Sequence, residues 1–304
     1  KEKSMKILPL AAMAVFVGTF TANAGEKLAL PSPEGVDITT YGEVRAYVES
    51  ATTNDVDTAI KTSDSKIGLK FKTKEPVYVF GEMSANVDLS SDGADDVTTR
   101  FGYIGVGTNA LGEISLGRTM SIMDSFVDKA DVFMGAGNQG VQKTPFTMNN
   151  SLKYTGSFSG VDVGFQTQMT DDAQDHDLDL YQIGLGYKGI GVAYARDEIN
   201  SSDYYGLGVS QKFGKIGAYA SVSVLDDDTQ SNDAVGYEIA GSYDLNEKLT
   251  LQGGWQDTDV TSDDGNLTIE SQYEIATQSV FFTNIDYDLT TEDATLRTGL
   301  SFTF

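Results

Sequence analysis

The sequence has no cysteine, one histidine, one tryptophan and five prolines in 304 residues. Without cysteine it can build no disulfide framework, zinc–thiolate site or iron–sulfur cluster. Bases are scarce as well: 21 Lys and Arg face 45 Asp and Glu, a formal charge of −24. A chain this acidic has no electrostatic footprint for nucleic acid. Past residue 24 no apolar run is long enough for a transmembrane helix, which takes about 20 residues. What is present is aromatic and glycine-rich: 15 Tyr, 15 Phe and 32 Gly, with 40% of residues apolar. That composition excludes a disordered chain and describes an all-β protein with many tight turns.

Lys1, Lys3 and Lys6 precede an apolar run from Ile7 to Phe20, and small residues then end in Ala22-Asn23-Ala24. A basic start, a short apolar stretch and an A-x-A site define a secretory signal peptide. Residues 1–24 are therefore expected to be a cleaved leader and 25–304 the folded domain; a membrane-anchoring N-terminal helix is the alternative. The leader's three lysines against Glu2 give it +2, so the remainder carries −26. An exported chain with no spanning helix either stays in solution or enters a membrane as a closed barrel.

From Val36 onward the chain is a succession of period-2 segments. Val77, Val79, Met83, Ala85 and Val87 alternate with Tyr78, Glu82, Ser84 and Asn86, and Ile216, Ala218, Ala220 and Val222 with Gly217, Tyr219, Ser221 and Ser223. Alternate side chains of a strand point to opposite faces, so each segment has one apolar and one polar face. About sixteen such segments follow one another. Their connections alternate too. Lys72 to Pro76, Thr108 to Gly112, Lys188-Gly189 and Phe213 to Lys215 are short; Asp92 to Asp96, Asp171 to Asp179, Asp226 to Asp233 and Asp257 to Asp264 are longer and acidic. Short turns at one end and long loops at the other describe an outer-membrane barrel. A secreted sandwich or solenoid is the alternative. In the last segment Leu296, Leu300, Phe302 and Phe304 share one face.

Certain passages carry a resemblance. T-T-R-F-G-Y-I-G-V-G (98–107), L-G-E-I-S-L-G-R (111–118) and S-I-M-D-S-F-V-D-K-A-D-V-F-M-G (121–135), with Y-G-E-V-R (41–45), S-K-I-G-L-K (65–70) and the C-terminal strand, are similar to Gram-negative general diffusion porins. The resemblance implies a 16-stranded antiparallel transmembrane β-barrel, a homotrimer, and a third loop folded inward, here within 118–146. It implies no cofactor and no enzyme activity. Its partners would be outer-membrane lipid, lipopolysaccharide, the outer-membrane assembly machinery (which reads Phe302 and Phe304 as its signal), ions and small hydrophilic solutes. A barrel of that size is too wide for side chains to fill, so selectivity falls to a constriction between loop and wall.

Parity and resemblance together choose the constriction. Val36, Ile38, Val44 and Val48 facing lipid places Arg45 in the lumen; Ile67 and Leu69 outward places Lys66 inside; Phe101 and Tyr103 read as outward place Arg100 inside. Lys66 and Arg100 match the family's basic positions, while Glu43 stands where the family has a base, and a further family arginine aligns near Thr147. The acidic side is Asp124, Asp128 and Asp131, with Gly135 where the family has a glutamate. Opposite charges about 8 Å apart would interact by roughly 0.5–2 kcal/mol. Arg118 shares parity with Ile114 and Leu116 and is expected to point outward, paired across the trimer with Asp92 of the S-D-G-A-D segment (91–95).

Other patterns carry less. Gly184, Gly186 and Gly189 spell G-x-G-x-x-G but straddle a strand and a turn, so glycine relief on the lumen face replaces a dinucleotide reading. His176 sits in an aspartate-rich loop with no partnered serine. No EF-hand spacing marks a metal site. The expected function is passive, cation-preferring diffusion. The alternatives are an oligosaccharide-preferring channel, whose signature would be a lumenal aromatic track, and a barrel hydrolase or adhesin.

Overall fold

The computed structural model describes residues 33–52, 58–62, 65–89, 97–135, 144–169, 179–227, 233–259 and 265–304. The expected leader, Asp92 and His176 lie outside them. Strand segments follow in the order β1 (Val36–Ala51), β2 (Thr58–Lys61), β3 (Lys66–Thr73), β4 (Val77–Val87), β5 (Val97–Thr108), β6 (Gly112–Met120), β7 (Thr147–Phe158), β8 (Val161–Gln168) and β9 (Leu180–Tyr187). They continue through β10 (Ile190–Asp197), β11 (Ser202–Phe213), β12 (Ile216–Asp227), β13 (Ala234–Asp244), β14 (Leu249–Thr258), β15 (Asn266–Ala276), β16 (Ser279–Asp288) and β17 (Ala294–Thr303). One short helix, α1 (Ile122–Val127), lies between β6 and β7.

Apart from β2 and β3, which do not pair with each other, the strands pair antiparallel with their chain neighbours, and β17 closes on β1 through Glu43↔Thr303 to Ala51↔Thr295. The segments β2 and β3 are one barrel strand with a break. Both pair with β1, and between Tyr47↔Lys61 and Glu43↔Lys66 the second strand has one residue more than the first. The result is the expected closed barrel of sixteen antiparallel strands. Closure leaves no unpaired edge, which is what a lipid environment requires of a sheet.

The apolar faces point outward, as their alternation predicts. Ile67, Val79, Met83, Ile104, Leu116 and Ile183 are among the exposed large side chains. Outward aromatics gather at both ends: Phe158, Tyr187, Phe213, Tyr243 and Phe304 by the short turns, Tyr205, Tyr237 and Trp255 by the long loops. These are the two interfacial girdles of a transmembrane barrel. At the C-terminus the Phe304 backbone exchanges two hydrogen bonds with Gly42, at 2.9 and 3.0 Å. Its ring covers the Gly42 Cα, where a Cβ would collide with it.

One strand departs from simple parity. On β5 Ile104 and Val106 face outward, so Phe101 and Tyr103 face the lumen, opposite to the expectation from their apolar character. The Tyr103 hydroxyl donates to lumenal Glu82 at 3.0 Å. A β-bulge explains the change: Ser84 pairs with Phe101 but Ala85 pairs with Thr99, leaving Arg100 as the extra residue. A bulge residue escapes the strict alternation, so Arg100 also reaches the lumen and donates to Asn86 Oδ1 at 3.0 Å. Its inward placement follows from the bulge and not from the parity argued above.

Candidate functional site: the lumen and its inward loop

β6 runs three residues further than the pattern indicates, to Met120, and the chain then turns inward. Ser121 caps α1 with extended backbone, its hydroxyl accepting from the Asp124 amide at 3.0 Å, and Asp124 places a carboxylate in the positive first turn. One face of the helix is apolar: Ile122, Met123, Phe126 and Val127 are buried with Met148, Leu180, Ala193 and Ala195. Each such burial contributes roughly 1.5–3 kcal/mol, enough to hold a six-residue helix that could not stand alone.

The seat for this helix is made of glycine. A Cβ at Gly184 would lie 2.7 Å from Ile122 Cγ2, and one at Gly206 would lie 2.6 Å from Val127 Cγ2. At Gly191 and Gly208 it would strike the backbone carbonyls of Phe126 and Val127. The G-x-G-x-x-G at 184–189 thus belongs to a packing surface, with Gly184 and Gly186 beneath Phe126.

Along α1 and beyond it the loop is stitched to the wall by side chains that bind its backbone. Gln182 Oε1 accepts from the Met123 amide at 3.0 Å. Ser221 accepts from the Lys129 amide at 2.9 Å and donates to the Val127 carbonyl at 2.8 Å. Glu270 takes the amides of Met134 and Gly135 at 2.9 and 2.8 Å. Arg45 donates to the Met134 carbonyl at 2.9 Å. The described loop residues therefore track the inner wall from β8 round to Arg45 on β1.

The structure distributes the expected constriction residues as follows. Asp124, Asp128 and Asp131 all lie on the loop; Asp128 is the C-cap of α1 and Asp131 is exposed. The electrostatic neighbour of Asp124 is Lys153, a lumenal base on β7. Arg45 and Lys66 both turn to Glu43, at 2.6 and 2.8 Å. Ser301 donates a further hydrogen bond to the same carboxylate at 2.8 Å. Arg100 stands on the β5 bulge with its guanidinium over the rings of Phe101 and Phe146, 5.3 and 4.8 Å from their centroids. Arg118 lies on the outer face as expected, donating to the Arg100 carbonyl at 3.0 Å and to Asn149.

The base on β7 is Lys153, opposite Ser115, and not a residue near Thr147. Its signal was local: Leu152 and Tyr154 carry the apolar face of β7, which leaves Lys153 inward. Glu270 had a similar signal between outward Ile269 and Ser271, but nothing in the sequence named the loop amides as its partners.

A closed barrel with lipid-facing apolar faces, aromatic girdles and a lumen narrowed by one inward loop defines an outer-membrane barrel of the channel type. The chain belongs to the Gram-negative porin family, whose profile matches residues 10–296. Outer membrane protein U of Vibrio parahaemolyticus is 25% identical over 217 residues, 64% of this chain and 63% of that protein's length. An anion-selective porin from Comamonas acidovorans superposes with a TM-score of 0.71 at 15% identity, covering 88% of this chain and 100% of that one. A trimer form of OmpT of Vibrio cholerae gives 0.67 at 15% identity, covering 89% and 100%. At these identities the two structures establish the shared fold; family membership places the chain in the outer membrane.

Proposed function

We propose that the protein is a non-enzymatic diffusion channel for ions and small hydrophilic solutes, cation-preferring and active as a homotrimer. The observation that carries this reading is the loop itself: a wide barrel whose lumen is narrowed, and not filled, by one chain segment held at the wall. The narrowing is proposed to set Asp124, Asp128 and Asp131 against Arg45, Lys66 and Arg100, with Lys153 added to the basic side. Acidic long loops around one mouth support the cation preference, because a negative rim raises the local concentration of cations. Under a potassium chloride gradient across a planar bilayer, the reversal potential is expected to carry the cation sign. It should shrink as salt rises from about 0.1 M to about 1 M, where the Debye length falls from about 10 Å to about 3 Å. An anion-signed potential at low salt would overturn the preference.

The trimer form of OmpT supports a homotrimer. Arg118, outward beside Asn149, is proposed to meet Asp92 of a neighbouring subunit. Arg118→Glu should lower the temperature at which trimers dissociate on a gel by roughly 5–10 °C, and Asp92→Arg added to it should restore much of the loss. Unchanged dissociation of the single variant would remove the pairing.

Export by a leader at 1–24, contact with lipid and lipopolysaccharide, and delivery by the assembly machinery complete the reading. Phe302 and Phe304, stacked at 6.0 Å on the outer face, are the proposed assembly signal. Phe304→Ala should cut the yield of membrane-inserted trimer severalfold in pulse-labelled cells; normal insertion kinetics would count against that role.

A further inference from the structure

The wall that carries the proposed basic side of the constriction holds a recess, and the diffusion reading assigns its aromatic lining no task. It has a volume of about 330 Å³ and opens to the lumen between β1 and β7. Four cations line it, Lys66, Lys70, Arg100 and Lys153, with only two carboxylates, Glu82 and Glu113.

Those carboxylates are already engaged. Glu82 accepts from the hydroxyls of Tyr41 and Tyr103 and lies 3.6 Å from Lys70. Glu113 accepts from Tyr78 at 2.9 Å and pairs with Lys72 at 3.6 Å. Lys66 is paired to Glu43 at 2.8 Å. Arg100 and Lys153 are different: among the described residues their direct acceptors are neutral, the Asn86 amide at 3.0 Å and the Met120 carbonyl at 2.8 Å. An ammonium has three donors and a guanidinium five, so both cations keep donors for an anion; Asp124 reaches Lys153 only through space.

Aromatic faces stand beside them. Tyr41, Phe80, Phe101 and Tyr103 line the same recess. The bonds to Glu82 fix two of these rings, and Phe80 packs edge-on to Tyr103 at 6.2 Å. Rigid flat surfaces next to spare charged donors favour a ligand that is flat at one end and anionic at the other.

We propose that this recess retains small solutes consisting of a ring that bears a carboxylate, with Arg100 and Lys153 holding the anion and Tyr41, Phe80 and Tyr103 the ring. The proposal rests on the channel reading only for its route of access. Because the mouth is acidic, such solutes would be few in the lumen but held once inside, and each would obstruct the ion current while it stayed.

Planar-bilayer currents in potassium chloride test this with benzoate and galacturonate as ring acids, acetate as the ringless acid and benzyl alcohol as the uncharged ring. Either ring acid should reduce the current saturably, at roughly tenfold lower concentration than acetate or benzyl alcohol. Comparing the two distinguishes aromatic from sugar rings. Arg100→Gln or Lys153→Gln should raise the blocking concentration about tenfold, Lys153→Arg should restore it, and Lys215→Gln at a short turn should leave it unchanged. Block by acetate equal to that by the ring acids, or block indifferent to Arg100→Gln and Lys153→Gln, overturns the proposal. Saturation-transfer NMR of benzoate with the detergent-solubilised protein separates the two readings. Ring-acid binding without ion conduction keeps the recess and removes the channel; conduction without binding does the reverse.

Discussion

Replacing Glu270 with alanine should release the tip of the inward loop and turn a steady ion current into a flickering, larger one. Glu270 is buried and accepts both the Met134 and Gly135 amides, with Gln272 and Asn284 donating to it at 2.7 and 3.1 Å. Removing the carboxylate strands several donors in one place, each at a cost of about 1–3 kcal/mol. The cheapest response is for the tip to leave the wall and let water in. Glu270→Gln keeps one acceptor oxygen but turns an amide toward backbone donors, so its effect should be smaller in the same direction. The β15–β16 ladder is backbone-to-backbone, so barrel closure and trimer yield should hardly move. Single-channel recordings check this. A Glu270→Ala pore with wild-type conductance and noise would show that the tip is held by something else.

The second large effect is expected at the glycine seat. At Gly191 and Gly208 an added methyl meets the backbone carbonyls of Phe126 and Val127, which cannot rotate aside as a side chain would. Overpacking of this kind costs about 1–3 kcal/mol per site, and a backbone obstacle puts both sites at the upper end. Gly191→Ala combined with Gly208→Ala should therefore unseat α1 and expose its four buried apolar residues to water. The readouts are a raised conductance and new protease cleavage between residues 122 and 130. Gly102→Ala is the matched control: it lies on the outer face, and a Cβ there meets nothing within 4 Å. If the double variant conducts and resists protease as the wild type does, the helix does not depend on this seat.

The barrel was legible in the sequence because its two signals are periodic. Alternation with a period of two names the lipid face, and the alternation of short turns with long acidic loops names the two ends. Both survive local irregularity. The lumenal chemistry was less legible, because a single inserted residue reverses every parity argument on one side of it. Arg100 is that residue on β5, and nothing in T-T-R-F-G-Y marks it as a bulge. The apolar character of Phe101 and Tyr103 points to lipid, which conceals the recess they line with Phe80 and Tyr41. The pairing of Arg45 and Lys66 with Glu43 was hidden for another reason. It depends on the register between β1 and β3 and on the approach of Ser301 from β17, contacts that span up to the whole chain.

The stitches between loop and wall have a consequence for how such a pore can change. Ser221, Gln182, Glu270 and Arg45 each grip peptide groups of the loop. At positions 129 and 134 any residue other than proline offers the same peptide groups, whereas a Cβ at Gly135 would lie 2.7 Å from Asn284 Cβ. At these positions past α1 the path of the loop is thus less tied to the identity of its side chains than α1 is, and substitutions there can alter which solutes pass without a new scaffold having to evolve with each one. The rail is fixed, and the cargo specification is written on a separate, freely editable strip.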